Sequence, residues 1–199
     1  MSRTASPALI LASTSRYRAE LLSRLLLPFE VVAPGVDEAA LPGESPPALA
    51  LRLACAKARA VAALRPDAVV IGSDQVADLN GEAVGKPGNH ERATAQLRRL
   101  SGQAVRFHTG VAVVHASARF EQAEVAVAAV RFRTLADAEI ESYLRREQPY
   151  DCAGSARCEA LGIALLERID SDDPTTLIGL PLMRTHRMLR LAGIDCLSP

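Results

Sequence analysis

The sequence predicts an α/β protein whose central, mixed and twisted sheet is flanked by helices. Short apolar runs typical of buried strands alternate with segments whose leucines and alanines recur at helical spacing. Two long β-prone stretches, Ala104–His115 and residues 119–132, follow each other late in the chain. Helices and strands in this order indicate an α/β or α+β domain with a mixed sheet, and a single domain over residues 1–199 is expected.

The N-terminal part predicts strand, polar turn and helix. The apolar run Leu9–Ala12 is predicted as a buried strand. Residues 16–27 are predicted as a helix, because leucines recur at helical spacing and Ser15 can cap its start. A second strand is predicted at residues 29–33. A long helix is predicted at residues 48–64, after two prolines of the kind favoured in a first helical turn.

The rest of the chain is predicted from local signals in the same way. Residues 68–72 give the clearest buried strand, and Asn80-Gly81 between two short β-prone runs predicts a hairpin turn. Helices are predicted from Asn89 to about residue 100, from a capping box at residues 134–137 to about residue 147, and at residues 182–191, with Gly193 as the stop. A strand near residues 163–169 precedes the last helix.

Composition excludes several classes of protein. The 23 Lys and Arg residues balance 23 Asp and Glu residues, which leaves no formal net charge. Non-specific nucleic-acid binders need a basic surplus, so no nucleic-acid partner is expected. A hydrophobic fraction of 49% with 23% charged residues excludes a disordered, collagen-like or coiled-coil chain. A neutral protein can still carry a locally basic pocket for a small anion.

Neither secretion nor membrane insertion is predicted. The apolar runs are far shorter than the roughly 18 residues that span a bilayer, and none resembles a signal peptide. The four cysteines are scattered, and their spacing does not resemble a zinc site. We therefore expect reduced thiols, a cytoplasmic location and no membrane partner.

Four polar clusters interrupt the apolar elements. Ser13-Thr14-Ser15-Arg16-Tyr17-Arg18 lies at a predicted strand-to-helix turn, where it either cradles phosphate or simply caps the helix. Asp37-Glu38 alone is typical of a solvated loop. Asp74 directly follows the predicted strand at 68–72, where acids commonly face a ligand, so it is a metal ligand, a water activator or a turn residue. Lys86 is a lone lysine next to a proline.

Taken together, these segments resemble the Maf family of nucleotide pyrophosphatases. The segments that carry the resemblance run nearly from end to end and are Leu9-Ile10-Leu11-Ala12-Ser13-Thr14-Ser15, Val36-Asp37-Glu38, Gly72-Ser73-Asp74-Gln75-Val76, Gly85-Lys86-Pro87, Thr109-Gly110, Cys152-Ala153-Gly154-Ser155, Asp173-Pro174 and Gly179-Leu180-Pro181-Leu182. The resemblance implies hydrolysis of a nucleoside triphosphate between its α and β phosphates. It also implies an elongated Maf/ITPase-like fold with a deep active-site cleft, a divalent cation (magnesium, manganese or cobalt) and a frequent homodimer.

The resemblance also implies roles for individual residues. Asp74 would accept a proton from the attacking water, and Glu38 with Asp74 would hold the metal. Because metal binding lowers the basicity of a carboxylate, base and metal ligand remain alternative roles for Asp74. Phosphate binding would fall to four residues: Ser13, Arg18, Lys57 and Lys86.

Three positions sort the substrates within the family, and here they are Tyr17, Gln75 and Glu159. This combination resembles the branch that acts on 7-methyl-GTP. A cationic 7-methylguanine would be attracted to the face of Tyr17, Glu159 would accept hydrogen bonds from its N1 and N2 edge, and Gln75 would supply a donor and an acceptor.

Other substrates and another class of function stay open at this point. A dTTP or UTP pyrophosphatase of the same family is one alternative, although that branch tends to have Arg near position 17 and Thr at position 75. A non-catalytic nucleotide-binding regulator of septum formation is the other. The sequence departs from the family pattern at four positions: Arg16 replaces a common Pro, Tyr17 a Trp frequent in this branch, Arg157 a frequent Lys and Ala160 a frequent Gly.

Overall fold

A computed structural model describes residues 7–197 of the chain. Within these residues, the chain forms seven strands and five α-helices. Their bounds are β1 Leu9–Ala12, α1 Arg16–Ser23, β2 Glu30–Val32, α2 Pro46–Leu64, β3 Val69–Leu79, β4 Glu82–Val84, α3 His90–Leu100, β5 Ala104–His115, β6 Phe120–Phe132, α4 Asp137–Glu147, β7 Leu166–Ser171 and α5 Leu182–Leu191. Short 3₁₀ turns cover Ala153–Ser155, Leu161–Leu165 and Thr176–Ile178.

All seven strands belong to one mixed sheet, as the sequence predicts. The order is β2-β1-β3-β5-β6-β7, and β4 pairs with the far end of β3. Strand β1 runs parallel to β2 and β3, whereas β3, β5, β6 and β7 pair antiparallel with one another in turn. The parallel strands therefore lie at one side of the sheet and the long antiparallel strands at the other.

Helices cover both faces of the sheet because successive residues of a strand point to opposite sides. Leu11 and Ile71 pack in one buried cluster with residues of α1 and α5. Ile10 and Val70, their neighbours in sequence, pack in another cluster with alanines and Val61 of α2. Helices α3 and α4 enclose a third cluster around the outer halves of β3, β5 and β6. The predicted arrangement of helices around a sheet is confirmed.

Helix α2 approaches the sheet unusually closely, because glycines of β3 and β5 face its backbone. A Cβ built on Gly72 would lie 2.2 Å from the carbonyl oxygen of Ala54, and one built on Gly110 would lie 2.2 Å from the carbonyl oxygen of Ala50. No side chain fits between sheet and helix at either of these two positions. This contact sets the distance between α2 and the sheet, and so the position of Lys57, which lies further along α2.

Several predicted boundaries rest on caps and turns that the structure confirms. Asn80 and Gly81 adopt φ values of 55° and 89°, as a tight hairpin requires. The Asn89 side chain accepts a hydrogen bond from the backbone of Arg92 at the start of α3. After α5, the N–H groups of Gly193 and Ile194 bond back to carbonyls of the last turn, a Schellman motif.

Other predicted boundaries are wrong. The predicted strand at 68–72 does not end there, because β3 continues through Asp74 to Leu79. Helix α1 ends at Ser23 rather than at residue 27, and Leu26 adopts a φ of 55° in the turn beyond it. The strand predicted near residues 163–169 starts only at Leu166, after a 3₁₀ turn.

The start of α4 also differs from the predicted capping box at residues 134–137. The helix begins at Asp137, so Ala136 occupies the cap position, and Glu139 accepts a hydrogen bond from the backbone N–H of Ala136. Within residues 7–197, all four cysteines are free thiols. No helix of that part of the chain has the length and apolar character needed to cross a membrane.

Candidate active site

The polar centre of the molecule lies where β3 extends past the end of β1. Ala12, the last residue of β1, pairs with Gly72, so the next residues of β3 have no neighbour on that side. Alternation along the strand then separates their side chains. Asp74 meets α2, whereas Gln75 meets the loop that precedes α5. Asp74 therefore lies close to a strand end, although the strand that ends there is β1 rather than β3.

Two carboxylates flank the buried ammonium of Lys57. The Nζ atom of Lys57 lies 2.6 Å from Oδ1 of Asp74 and 2.6 Å from Oε1 of Glu38, and Lys57 is only 4% exposed. We call Glu38, Lys57 and Asp74 the lysine cluster. Partial burial raises the pKa of Glu38, but the hydrogen bond from Lys57 and the charges of Lys57, Lys86 and Arg18 outweigh it. The pKa of Glu38 is therefore held below its usual range, and the side chain stays ionised at neutral pH.

Arg18 is fixed beside this cluster by the loop before α5. Its Nε donates to the carbonyl oxygen of Gly179 at 2.9 Å, and its Nη1 lies 3.4 Å from Oγ of Ser13. Ser13 Oγ also accepts from the backbone of Ser15 at 3.1 Å. Burial lowers the pKa of Arg18, while the carboxylates of Asp74 and Glu38 oppose that effect. The guanidinium is thus oriented, close to two acids, and at the start of α1.

The loop that positions Arg18 is anchored by a buried carboxylate. Asp173, 1% exposed, accepts hydrogen bonds from the backbone of Met183 and Arg184 at the start of α5 and from Thr175. A carboxylate at a helix N-terminus satisfies free N–H groups and complements the helix dipole. Asp173 therefore holds in place the segment whose carbonyls receive Arg18 and Gln75.

The amide of Gln75 is committed to that same segment. Its Nε2 lies 2.9 Å from Oγ1 of Thr109, 2.9 Å from the carbonyl oxygen of Thr176 and 3.1 Å from that of Leu177. Two carbonyl acceptors require the NH₂ group at this position. Only Oε1 is left for a ligand, so the sequence-based expectation that Gln75 offers both a donor and an acceptor is wrong for this arrangement.

Charged groups surround the ring of Tyr17. The guanidinium carbons of Arg16 and Arg157 lie 4.8 Å and 5.0 Å from the ring centroid, within the range of a cation–π contact. Arg16 also donates to the phenol oxygen at 2.8 Å, and that oxygen lies 3.4 Å from a carboxylate oxygen of Asp151.

Arg157 links the tyrosine to the third predicted specificity residue. Its Nη1 donates to Oε1 of Glu147 at 2.5 Å, and its Nε lies 3.6 Å from Oε1 of Glu159. Glu147 also accepts from the backbone of Leu161 through its second oxygen. We call Tyr17, Glu147, Asp151, Arg157 and Glu159 the tyrosine cluster.

All nine residues predicted from the sequence line a single pocket of about 860 Å³: Ser13, Tyr17, Arg18, Glu38, Lys57, Asp74, Gln75, Lys86 and Glu159. The structure also brings to this pocket residues that sequence reasoning did not select as site residues, among them Arg16, Asp151, Arg157 and Gly179. In the sequence, Arg157 is marked only as a departure from the family pattern. Gly179 belongs to a segment that carries the family resemblance, but its contribution is a backbone carbonyl, which the residue type does not reveal.

The charges of the pocket are unevenly distributed. Around the lysine cluster, three cations (Arg18, Lys57 and Lys86) face two carboxylates. Around Tyr17, two guanidiniums face three carboxylates, of which Glu147 lies behind the pocket lining. The first group favours an anion such as phosphate, and the second favours a cationic or donor-rich ligand.

The lysine cluster fits a hard divalent cation. Asp74 and Glu38 converge on one ammonium through a single oxygen each, and no hydrogen bond within residues 7–197 uses their second oxygens. Magnesium-type ions are commonly held by one or two carboxylates together with substrate phosphates and water. Two carboxylates beside a pocket lined by three cations match that donor set.

Cys152 lines the pocket beside Tyr17, but its environment makes the thiol unreactive. Burial and the neighbouring carboxylate of Asp151 raise the pKa of Cys152 to about 12. The thiol therefore stays protonated below that pH. We expect iodoacetamide at pH 8 to modify Cys152 roughly 10³-fold more slowly than an unperturbed thiol, since only the thiolate reacts. Mass spectrometry of timed samples measures this rate, and urea-unfolded protein is the control; equal rates in both would contradict the prediction.

Residues 8–192 match the family model described as Maf-like protein. A 7-methyl-GTP pyrophosphatase from a Polaromonas species is 66% identical over 189 residues, which cover 95% of this chain and 86% of the relative. A protein of the same name from Albidiferax ferrireducens is 61% identical over the full length of both chains. Another, from Bordetella pertussis, is 60% identical over 96% of each chain.

Proposed function

The chain belongs to the Maf family, and on that premise we propose that it hydrolyses 7-methyl-GTP to 7-methyl-GMP and pyrophosphate. The reaction would remove a modified nucleotide from the cellular pool. The observation that carries the proposal is one pocket that combines three cations in one part with the Tyr17 ring and the carboxylates of Asp151 and Glu159 in another. 7-methyl-GTP has a matching division, a polyanionic triphosphate attached to a cationic base.

The triphosphate would bind at the cation-rich part. Arg18, Lys57 and Lys86 supply positive charge, and Arg18 is oriented by Gly179 before any ligand arrives. Helix α1 begins at Arg16, so the backbone N–H groups of its first turn have no partners within the helix. Oriented N–H groups together with guanidinium and ammonium groups form a favourable phosphate site.

Asp74 is the residue we propose for water activation. Lys57 holds one carboxylate oxygen at 2.6 Å, which fixes the side chain while the second oxygen remains available for a proton or a cation. A divalent cation held by Glu38 and Asp74 would neutralise phosphate charge and polarise the phosphoryl group. The variant Asp74→Asn distinguishes a main role as base from a main role as metal ligand.

The base would bind at the tyrosine cluster. The Tyr17 face attracts a delocalised cation, and the Glu159 carboxylate can accept from the N1–H and N2–H groups of guanine. Gln75 contributes an acceptor only, through Oε1. N7-methylation gives the base the positive charge that this carboxylate-rich environment favours, and GTP lacks that charge.

A substrate panel tests this proposal directly. We expect kcat/KM for 7-methyl-GTP to exceed that for GTP by roughly tenfold or more, the order of a desolvated cation–π contact. The panel contains 7-methyl-GTP, GTP, dTTP and UTP, each with magnesium, manganese or cobalt, and pyrophosphate release is measured. In Tyr17→Leu, the ratio of kcat/KM for 7-methyl-GTP to kcat/KM for GTP should fall towards one. Faster turnover of dTTP or UTP than of 7-methyl-GTP would contradict the assignment.

We also propose that the enzyme acts in the cytoplasm, where nucleotide pools are found, and that it forms a homodimer. Sedimentation equilibrium of the purified chain, with its mass of 21.2 kDa, distinguishes monomer from dimer. A monomer at all protein concentrations would remove the dimer from the proposal without affecting the reaction.

A further inference from the structure

The guanidinium of Arg157 lies beside both groups that we propose for recognition of the base. It lies 5.0 Å from the Tyr17 centroid, and its Nε lies 3.6 Å from Glu159. A guanidinium is planar and delocalised, and the N1–C2–N2 edge of guanine has the same pattern of donors. The side chain therefore resembles the ligand in shape, charge and hydrogen-bonding groups.

We infer that Arg157 is an internal competitor of the substrate base, and that the base binds only when this guanidinium leaves the Tyr17–Glu159 pair. The inference rests on the proposed function, because it assumes that Tyr17 and Glu159 form the base site. It identifies a residue that sets substrate affinity without taking part in the chemistry.

The contacts of Arg157 support displacement. The bond to Glu147 anchors one end of the guanidinium, but Nε is buried without a hydrogen-bond partner within residues 7–197. A buried donor without an acceptor is costly, so the guanidinium is imperfectly accommodated where it lies. A base that donates to Glu159 would replace it with a better hydrogen-bonded group.

The charge of Arg157 makes the competition strongest for a cationic base. The guanidinium of Arg157 repels a second cation on or near the Tyr17 ring. The guanidinium and a cationic base would also compete for the carboxylate of Glu159. Arg16 differs, because it contacts the ring and the phenol oxygen, and no contact joins it to Glu159 in the described part of the chain.

The test is the affinity of the variant Arg157→Gln for 7-methyl-GMP, measured by calorimetry, and its KM for 7-methyl-GTP. Loss of a competing cation–π contact should lower the dissociation constant for 7-methyl-GMP and the KM for 7-methyl-GTP, each roughly 3- to 10-fold. Arg157→Lys keeps the charge without the planar group and should give a smaller decrease. Arg145→Gln, an exposed arginine paired with Glu141 on α4, is the matched control and should change neither value.

Removing Arg157 leaves the partly buried Glu147 without its cation, and this can impair folding. The double variant Arg157→Gln with Glu147→Gln removes both charges and keeps two groups that can hydrogen-bond, so it carries the test in that case. An unchanged or raised dissociation constant overturns the inference. So does a 3- to 10-fold lower dissociation constant in Arg16→Gln that is absent in Arg157→Gln.

The outcomes separate this inference from the proposed function. If the wild-type protein prefers 7-methyl-GTP and Arg157→Gln binds no more tightly, only the inference fails. If the wild-type protein prefers another nucleotide, the proposed function fails, and the same variants are then measured with the monophosphate of that nucleotide.

Discussion

Replacement of Asp74 by asparagine is expected to lower kcat/KM by roughly 10²- to 10⁴-fold, the range attributed to a positioned general acid or base. Asparagine keeps the size of the side chain and one oxygen, so it can still accept from Lys57, which lies 2.6 Å away in the native protein. The amide cannot take a proton from water and is a poor ligand for a hard cation. Pyrophosphate release with 7-methyl-GTP measures the loss.

Two controls make this result specific. Asp170→Asn removes an exposed carboxylate paired with Arg168 on β7, outside the pocket lining, and should retain full activity. Circular dichroism should show the same melting temperature for both variants within a few degrees. Retained turnover in the folded Asp74→Asn protein would refute the assigned role.

The same variant separates the two roles of Asp74. If the carboxylate is mainly a metal ligand, activity should recover in part as the metal concentration rises, because the defect is one of metal affinity. If it is mainly the base, kcat should stay low even at saturating metal. Asp74→Glu keeps a carboxylate that can act as base and as metal ligand, but its side chain is one methylene longer. This variant should keep measurable activity only if the surrounding residues shift to accommodate the longer side chain.

The parts of the fold that sequence predicts well carry their signals locally. The Asn80-Gly81 turn and the Asn89 cap depend on the conformational preferences of one or two residues, and both are found where expected. The apolar run Leu9–Ala12 is buried at every position, as a central strand requires. Each of these features would be recognised in an isolated peptide segment.

Strand β3 was predicted to stop at Gly72 because the next residues are poor strand formers. Glycine, serine and aspartate favour turns, so local propensity breaks the strand. Pairing overrides it: Asp74 lies opposite Gly110 and Gln75 opposite Thr109 on β5, and this ladder extends along most of both strands. The information is in a partner more than thirty residues away.

The predicted strand near residue 163 fails for a related reason. Its apolar residues fit a strand, but Gly162 packs directly against the backbone of Arg157, where a Cβ would lie 2.4 Å from the nitrogen. That contact requires a compact turn before β7. The same fold-back brings Arg157 towards Tyr17, and sequence reasoning could find neither feature without the tertiary structure.

In the candidate site, too, the residue types could be predicted from the sequence but their tertiary contacts could not. Residue types at matching positions were enough to select nine side chains that share one pocket. Their partners were not predictable, because the groups that fix Arg18 and Gln75 are backbone carbonyls of the segment at residues 176–179. A carbonyl is present in every residue, so only the fold determines which ones face the site.

Gly110→Ala is expected to be strongly destabilising. The new Cβ would lie 2.2 Å from the carbonyl oxygen of Ala50 and 2.6 Å from its carbonyl carbon, and these backbone atoms cannot rotate away. Overpacking of this kind costs about 1–3 kcal/mol and sometimes more. For a chain of this size that corresponds to a fall in melting temperature of roughly 2–12 °C, measured by calorimetry or circular dichroism.

The stability control is another glycine that has open space. A Cβ on Gly85 would meet nothing within 4 Å, and Gly85 does not adopt a positive φ. Gly85→Ala should therefore have the same melting temperature as the wild-type protein. Adding Ala50→Gly to Gly110→Ala should not restore stability, because the clash is with the carbonyl group rather than with the alanine side chain. Rescue by Ala50→Gly would show that the close approach has been misassigned.

The same substitution should also impair catalysis, because the contact that it disrupts sets the geometry of the lysine cluster. Gly110 pairs with Asp74 on the neighbouring strand, and Ala50 lies two turns before Lys57 on α2. If α2 moves away from β5, the Lys57 ammonium moves relative to Asp74, to which it now bonds at 2.6 Å. We therefore expect kcat/KM of Gly110→Ala to fall even well below its melting temperature. Wild-type activity in the destabilised protein would mean that the position of α2 does not control the cluster.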